Sequence, residues 1–169
     1  MSRPPVEVVR ARTSDVDGIR ALVEPQAGKR ILLAKERVAY YENLPEFRVV
    51  RDAAGDVVGC GALHVMWKDL AEVRTLTVRD DQLGTGAGSA ILRQLLDDAR
   101  EIGVARVFCL TFETQFFGRH GFEPIEGIPV EPQVYAELLR SYDEGIAEFL
   151  DLERVKPNTL GNTRMLRIL

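Results

Sequence analysis

The sequence predicts an α/β (α+β) fold: a mixed, mostly antiparallel central sheet containing one parallel βαβ unit, with helices on both faces. Three observations predict it. Phe47 to Arg51 and Val57 to Trp67 are strand-like runs joined by Ala53-Ala54-Gly55-Asp56, which is hairpin turn chemistry and makes the two strands antiparallel. Ala71 to Val78 is a strand followed by a glycine loop, a helical pattern and a further strand, Val104 to Thr111. A strand, helix and strand connected at this length form a right-handed unit with parallel strands. Finally, 169 residues that are 46% hydrophobic and 28% charged fit one domain over 1–169, burying about 70% of its unfolded surface.

The elements follow in order. Val6 to Ala11 is a first strand, and Ser14 caps a helix whose Val16, Ile19, Leu22 and Val23 fall on one face. A short helix is expected from about Ala34 to Tyr41, before the hairpin. After the glycine loop, Ile91, Leu92, Leu95, Leu96, Ala99 and Ile102 keep helical spacing. A short helix near Gln115 to Arg119 and another from Pro132 to Tyr142 come next. Asp143 to Leu152 fits no single pattern, residues 156–162 are turn chemistry, and Thr163 to Leu169 is a closing strand. Trp67, Phe108 and Phe112 read as core aromatics and His64 as a satisfied core histidine, while His120 belongs to a loop or helix end.

Composition narrows the function. The 22 basic residues are scattered among 26 acidic ones for a net charge of −4, which argues against a nucleic-acid surface and for a small-molecule partner. No apolar run reaches membrane-spanning length, and the opening MSRPPVEVV lacks the apolar core of a secretory signal, so a cytoplasmic protein is expected. Cys60 and Cys109 lie in apolar strand-like runs as reduced core thiols, and neither has ligand-spaced partners for a metal.

Leu83-Gly84-Thr85-Gly86-Ala87-Gly88-Ser89 is the most informative segment. Glycines at alternate positions let the backbone approach an anion, and the N–H groups of the following helix start point at it with the positive end of the helix dipole. A phosphate or diphosphate is the natural guest. The spacing Gly84-x-Gly86-x-x-Ser89 also resembles a dinucleotide fingerprint, but antiparallel strands precede it where that fold begins with a parallel unit. A nucleotide P-loop lacks its Lys-Ser or Lys-Thr. A ligand-free glycine turn is the bland alternative.

The strand-loop-helix from Leu76 to Leu92 resembles the GCN5-related N-acetyltransferase (GNAT) family, whose acetyl-CoA motif is a strand ending in Val followed by Arg or Gln, two residues, Gly, one residue, and Gly or Ala. That resemblance implies that backbone N–H groups from Leu83 through Gly84, Thr85, Gly86, Ala87, Gly88 and Ser89 hold the diphosphate of acetyl-CoA, while Leu76, Thr77 and Val78 pair with its pantetheine arm. It also places Thr111 and Phe117 against the cofactor. Leu83 stands at the Arg/Gln position, a small loss because backbone amides do the binding. In Phe116-Phe117-Gly118-Arg119-His120-Gly121-Phe122, Phe117 stands where many members carry the tyrosine that protonates the leaving thiolate. A thiol of pKa about 8.5 leaves tolerably without it.

Amine attack on a thioester needs a base and an oxyanion donor. Glu72, on the strand entering the loop, is the candidate base, where family members often place a glutamate that acts through water; the bland alternative pairs it with Arg74. The oxyanion donor is expected near Leu76 or Thr77. The phrases Ile31 to Arg37, Gly59 to His64, Ala71 to Val78, Val107 to Thr111 and Gly161 to Leu166 resemble one subgroup more closely, the acetyltransferase domain of N-acetylglutamate synthase. This implies an enzyme of arginine biosynthesis in which Lys35, Asn162, Thr163 and Arg164 hold the carboxylates of glutamate, with Arg74 as a further candidate. Charge-assisted bonds from separate elements suit a dianionic amino acid. Gly161 replaces a basic residue of the longer synthases, so glutamine or aspartate compete as acceptors. Other amines, a protein N-terminus, or a non-catalytic acyl-CoA sensor remain alternatives, and a homodimer is compatible with the sequence.

Overall fold

The structure, a computed structural model, describes residues 4–28, 36–156 and 161–169. Its strands are β1 (Val9–Arg10), β2 (Phe47–Arg51), β3 (Val57–Trp67), β4 (Leu70–Val78), β5 (Arg106–Thr111), β6 (Glu123–Pro124) and β7 (Thr163–Ile168). The helices are α1 (Val16–Gly28), α2 (Arg37–Glu42), α3 (Ala87–Glu101), α4 (Thr114–Arg119), α5 (Pro132–Leu138) and α6 (Glu144–Phe149). The strands form a mixed sheet in the order β1-β2-β3-β4-β5-β7-β6. Its parallel pair, β4 with β5, is in register over Leu70–Glu72 and Arg106–Phe108. The mixed sheet expected from the sequence is thus present.

The chain divides into two compact units, Met1–His64 with Val73–Glu101, and Val65–Glu72 with Ile102–Leu169. In the first, α1 and α2 send Val16, Ile19, Val23 and Tyr40 into a core shared with Phe47 and Val49 of β2 and Cys60 and Ala62 of β3. Helix α3 buries Ile91, Leu92, Leu95 and Leu96, side chains worth about 1.5–3 kcal/mol each when fully buried. It approaches β3 over two glycines: a Cβ on Gly61 would stand 2.9 Å from Ile91 Cγ2 and 3.1 Å from Leu95 Cδ1. Arg48 of β2 grips Asp98 of α3 with two bonds of 2.8 and 2.7 Å, and Gln94 donates to the same carboxylate.

In the second unit β5 is central, paired on one side with β4 and on the other with β7 through six residue pairs from Arg106↔Ile168 to Thr111↔Thr163. Phe108 meets Phe149 edge-on at 5.2 Å in a core with Leu70, Leu138, Ile146 and Leu150. The segment that fitted no pattern forms α6. Asp143 caps it by accepting the Ile146 N–H at 3.0 Å.

Several expectations change. The first strand shrinks from Val6 to Ala11 to Val9–Arg10, the two residues registered with β2. Ser14 is not the cap; the chain enters α1 through a 3-10 turn, Thr13–Asp15, with the Asp15 carboxylate accepting the Arg12 N–H at 2.7 Å. Residues 34 and 35 of the second expected helix lie outside the described residues, and α2 begins at Arg37. Helix α3 ends at Glu101 and leaves Ile102 exposed, because Gly103 at φ +92° ends it. Helix α5 stops at Leu138 rather than Tyr142, and Tyr142 is fully exposed. Phe112 is not core: it is exposed beyond the last residue of β5.

Candidate active site

The glycine loop lies in the first unit, between β4 and α3. Arg79 fixes its entry. Its N–H bonds Val58 O at 2.8 Å, and its guanidinium takes the Asp81 carboxylate at 2.6 and 2.9 Å. These bonds hold Asp81 below the ordinary carboxylate range. A 3-10 turn, Asp80–Gln82, then leads to Leu83, which is exposed, and to Gly84 and Gly86 at φ +74° and +88°. A Cβ on either glycine would meet nothing within 4 Å, so their left-handed backbone demands glycine while open space remains beside them. Thr85 holds the bend, its hydroxyl donating to Gln82 O at 2.6 Å and accepting the Ala87 N–H at 3.3 Å. The Ala90 N–H closes a helical bond to Gly86 O at 2.9 Å, so Ala87, Gly88 and Ser89 form the first turn of α3, at the positive end of its dipole. This loop has the backbone freedom, open space and dipole end that a diphosphate requires.

The same unit contains the end of β4. Thr75 is buried at φ +57°, a conformation that a β-branched residue adopts only under constraint. Its carbonyl accepts the Cys60 thiol at 3.4 Å. The left-handed residue turns the backbone immediately before Leu76, Thr77 and Val78, the segment expected to meet a ligand strand-wise. Sequence gave no signal of it, since threonine is a strand former. Arg74, half-buried, precedes the turn.

In the second unit Glu72 is buried at 4% exposure and sits opposite Phe108 in the parallel register. Phe108 in turn faces Leu166, and Leu110 faces Arg164. Side chains alternate along strands and directly paired residues share a face, so Glu72, Phe108, Leu110, Leu166 and Arg164 project from one side of the sheet. Glu72 and Arg164 are separated by two strand spacings and two residues, about 10 Å across and about 7 Å along. Arg164 Nη2 donates to Phe149 O at the end of α6, while its Nε is buried with no hydrogen-bond partner among the described residues. Burial pulls its pKa down, opposed by the charge of Asp151. Guanidinium stays protonated even so. A half-buried cation with an unpartnered N–H suits a carboxylate.

The remaining expected residues fall elsewhere. Thr111 and Thr163 pair on the opposite face from Arg164, and the Thr111 hydroxyl accepts the Glu113 N–H at 2.8 Å. Phe117 is buried between Phe116 and Phe122, with ring centroids 5.2 Å apart in both contacts. Asn162 is half-buried before β7, after Gly161 at φ +80°, whose Cβ position lies 3.0 Å from the Phe112 ring. Lys35 lies outside the described residues. His64 is satisfied by Glu46, Nδ1 to Oε1 at 2.6 Å, and His120 ends α4. Burial, with the Glu72 charge adding to it, pushes the Cys109 thiol well up. Among the described residues no group of three or more His, Cys, Asp or Glu is arranged to hold a metal, and no helix is long and apolar enough to cross a membrane.

Residues 18–122 match the acetyltransferase (GNAT) family. The chain belongs to this family. It is 57% identical over 164 residues to an amino-acid acetyltransferase of Mycobacterium tuberculosis, covering 96% of this chain and 94% of that one. A GNAT relative from Ralstonia nicotianae, also an amino-acid acetyltransferase, is 34% identical over 125 residues, 72% of this chain but 28% of that longer protein. The crystal structure of a Mycobacterium tuberculosis protein in complex with CoA and NLQ superposes with a TM-score of 0.93 at 56% identity, covering 96% of this chain and 99% of that one. The N-acetylglutamate synthase of Neisseria gonorrhoeae, complexed with coenzyme A and N-acetyl-glutamate, shares the GNAT fold at a TM-score of 0.78 and 24% identity over 99% of this chain and 36% of that one.

Proposed function

We propose that this acetyltransferase moves the acetyl group of acetyl-CoA to the α-amine of L-glutamate, as a cytoplasmic enzyme of arginine biosynthesis. The observation that carries the reading is Arg164, a half-buried guanidinium whose Nε has no hydrogen-bond partner among the described residues, on the sheet face that also bears Glu72. The near full-length likeness to an amino-acid acetyltransferase supports it, as does the CoA in the crystal structure at 56% identity. In this reading the glycine loop and helix start from Leu83 to Ser89 take the diphosphate and Leu76 to Val78 pair with the pantetheine arm, with Thr111 and Phe117 against the cofactor. Glu72 removes a proton from the ammonium, directly or through water. The amine nitrogen then attacks the thioester carbon and forms the C–N bond, the oxyanion accepts a main-chain N–H near Leu76 or Thr77, and the nitrogen gives its second proton to solvent as the oxyanion re-forms the carbonyl and the C–S bond breaks. The thiolate takes its proton from solvent, since Phe117 has none to give. Arg164, with Arg74, Asn162 and Lys35, holds the acceptor's carboxylates; the Thr163 side chain, on the other face of the sheet, takes no part.

A thiol-release assay over the amino acids and simple amines tests this. Glutamate is expected to give the largest kcat/KM, and amines without a carboxylate almost none. Equal rates with a carboxylate-free amine would redirect the acceptor, and acetyl-CoA binding without release of CoA to any amine would make the protein a sensor.

A further inference from the structure

The exit of α6 carries a feature that acetyl transfer does not use. Asp151 has φ +56°, a left-handed conformation that costs a non-glycine residue about 1–2 kcal/mol. It ends a helix cap in which the Leu152 N–H returns to Ala147 O and the Asp151 N–H to Glu148 O, both at 3.1 Å. This is the Schellman pattern, whose left-handed residue is most often glycine. The backbone therefore favours glycine here, yet a carboxylate occupies the position. Residues held against their backbone preference cluster at functional sites.

What the carboxylate faces is informative. Arg164 is held at this same helix end through Phe149 O, two residues before Asp151. The Asp151 charge acts on that guanidinium, and Asp151 also pairs with Lys156. Asp151 and the cations Arg164 and Lys156 thus meet at the end of α6. We propose that Asp151 is a specificity-determining residue: its carboxylate, fixed beyond the Phe149 carbonyl that holds Arg164, subtracts one positive charge from the cluster that receives the acceptor, and so disfavours a dianionic amino acid relative to a singly charged one of the same length. The inference rests on Arg164 receiving a carboxylate, as proposed above.

Glutamate and glutamine separate this effect from shape, because they are nearly isosteric and differ by one charge. Asp151→Gly in the full-length protein keeps the cap, relieves the left-handed backbone and removes only the carboxylate. The expected result is a rise of about fivefold in the ratio of kcat/KM for glutamate over glutamine, the size of one charge interaction at a partly solvated contact. Raising NaCl from 20 mM to 0.5 M should shrink that difference, which a purely structural change would not do. The acetyl-CoA KM should stay and Tm should not fall. Asp151→Asn should shift the ratio the same way. A ratio that stays or falls in both variants, with the wild type still acetylating amino acids, overturns the role of Asp151 and leaves the acceptor assignment standing. A wild type that acetylates neither amino acid overturns the acceptor assignment and the inference with it.

Discussion

At the scale of single residues, two groups divide chemistry from packing. Glu72 is a buried carboxylate placed at the last registered pair of β4 and β5, and removing its ability to accept a proton should cost the chemical step rather than the fold. Glu72→Gln is expected to lower kcat by about 10²- to 10⁴-fold, the usual span for a lost general base, with acetyl-CoA affinity held. Turnover near that of the wild type would remove Glu72 from the mechanism. Cys109 is its opposite. Burial and the neighbouring Glu72 charge keep it a thiol, and Cys60 is equally enclosed. Since the thiolate is the reactive form, neither cysteine should react with iodoacetamide at pH 8 in the folded protein, and both should react after unfolding in guanidinium. Mass spectrometry of the two samples reads this directly; native labelling at Cys109 would contradict its burial.

At the scale of elements, the approach of α3 to β3 positions the glycine loop, because the loop is the covalent entry to that helix. Gly61→Ala would place a Cβ 2.9 Å from Ile91 Cγ2 and 3.1 Å from both Leu76 Cδ1 and Leu95 Cδ1, an overpacking worth about 1–3 kcal/mol. Tm should fall by several degrees and the acetyl-CoA KM should rise, while the amino-acid KM stays within about twofold; an unchanged Tm would show that α3 moves away freely. Elements of this kind were the legible part of the sequence. The hairpin, the strand-loop-helix and the helical stripe of α3 each declare themselves through a local period or turn residues, and they arrived where expected. Elements defined by distant partners did not. β6 is two residues that are strand only because β7 pairs with them, and α6 hides its start and stop in Asp143 and Asp151 rather than in a stripe. The site divides along the same line: the glycines of the loop are visible in a string of letters, whereas the left-handed turn at Thr75, the grip of Phe149 O on Arg164 and the opposite facing of Thr163 follow from register and packing.

At the scale of the whole molecule, stability against acid has an identifiable contributor. Asp15 takes two bonds from Arg51, at 2.9 and 2.6 Å, and one from the Arg12 N–H, tying the entry of α1 to β2. Burial pushes its carboxyl up, but the Arg51 bonds, the Arg12 bond and the charges of both arginines outweigh it and leave the pKa below its ordinary value. The unfolded chain therefore binds this proton more readily than the folded one. Stability from Asp15 is complete above the unfolded value near about 3.9 and is lost as pH falls from there through the depressed folded value. Ion pairs on the surface, such as Arg100 with Asp97, add little by comparison. Urea denaturation followed by far-UV circular dichroism from pH 7 to pH 3 should show the wild type losing stability below about pH 4. Asp15→Asn should be weaker at pH 7 by about 1–3 kcal/mol, the worth of hydrogen bonds to a charged group, and its stability should depend less on pH between pH 4 and 3. Curves that run parallel over this interval would place the acid sensitivity of the fold in other carboxylates.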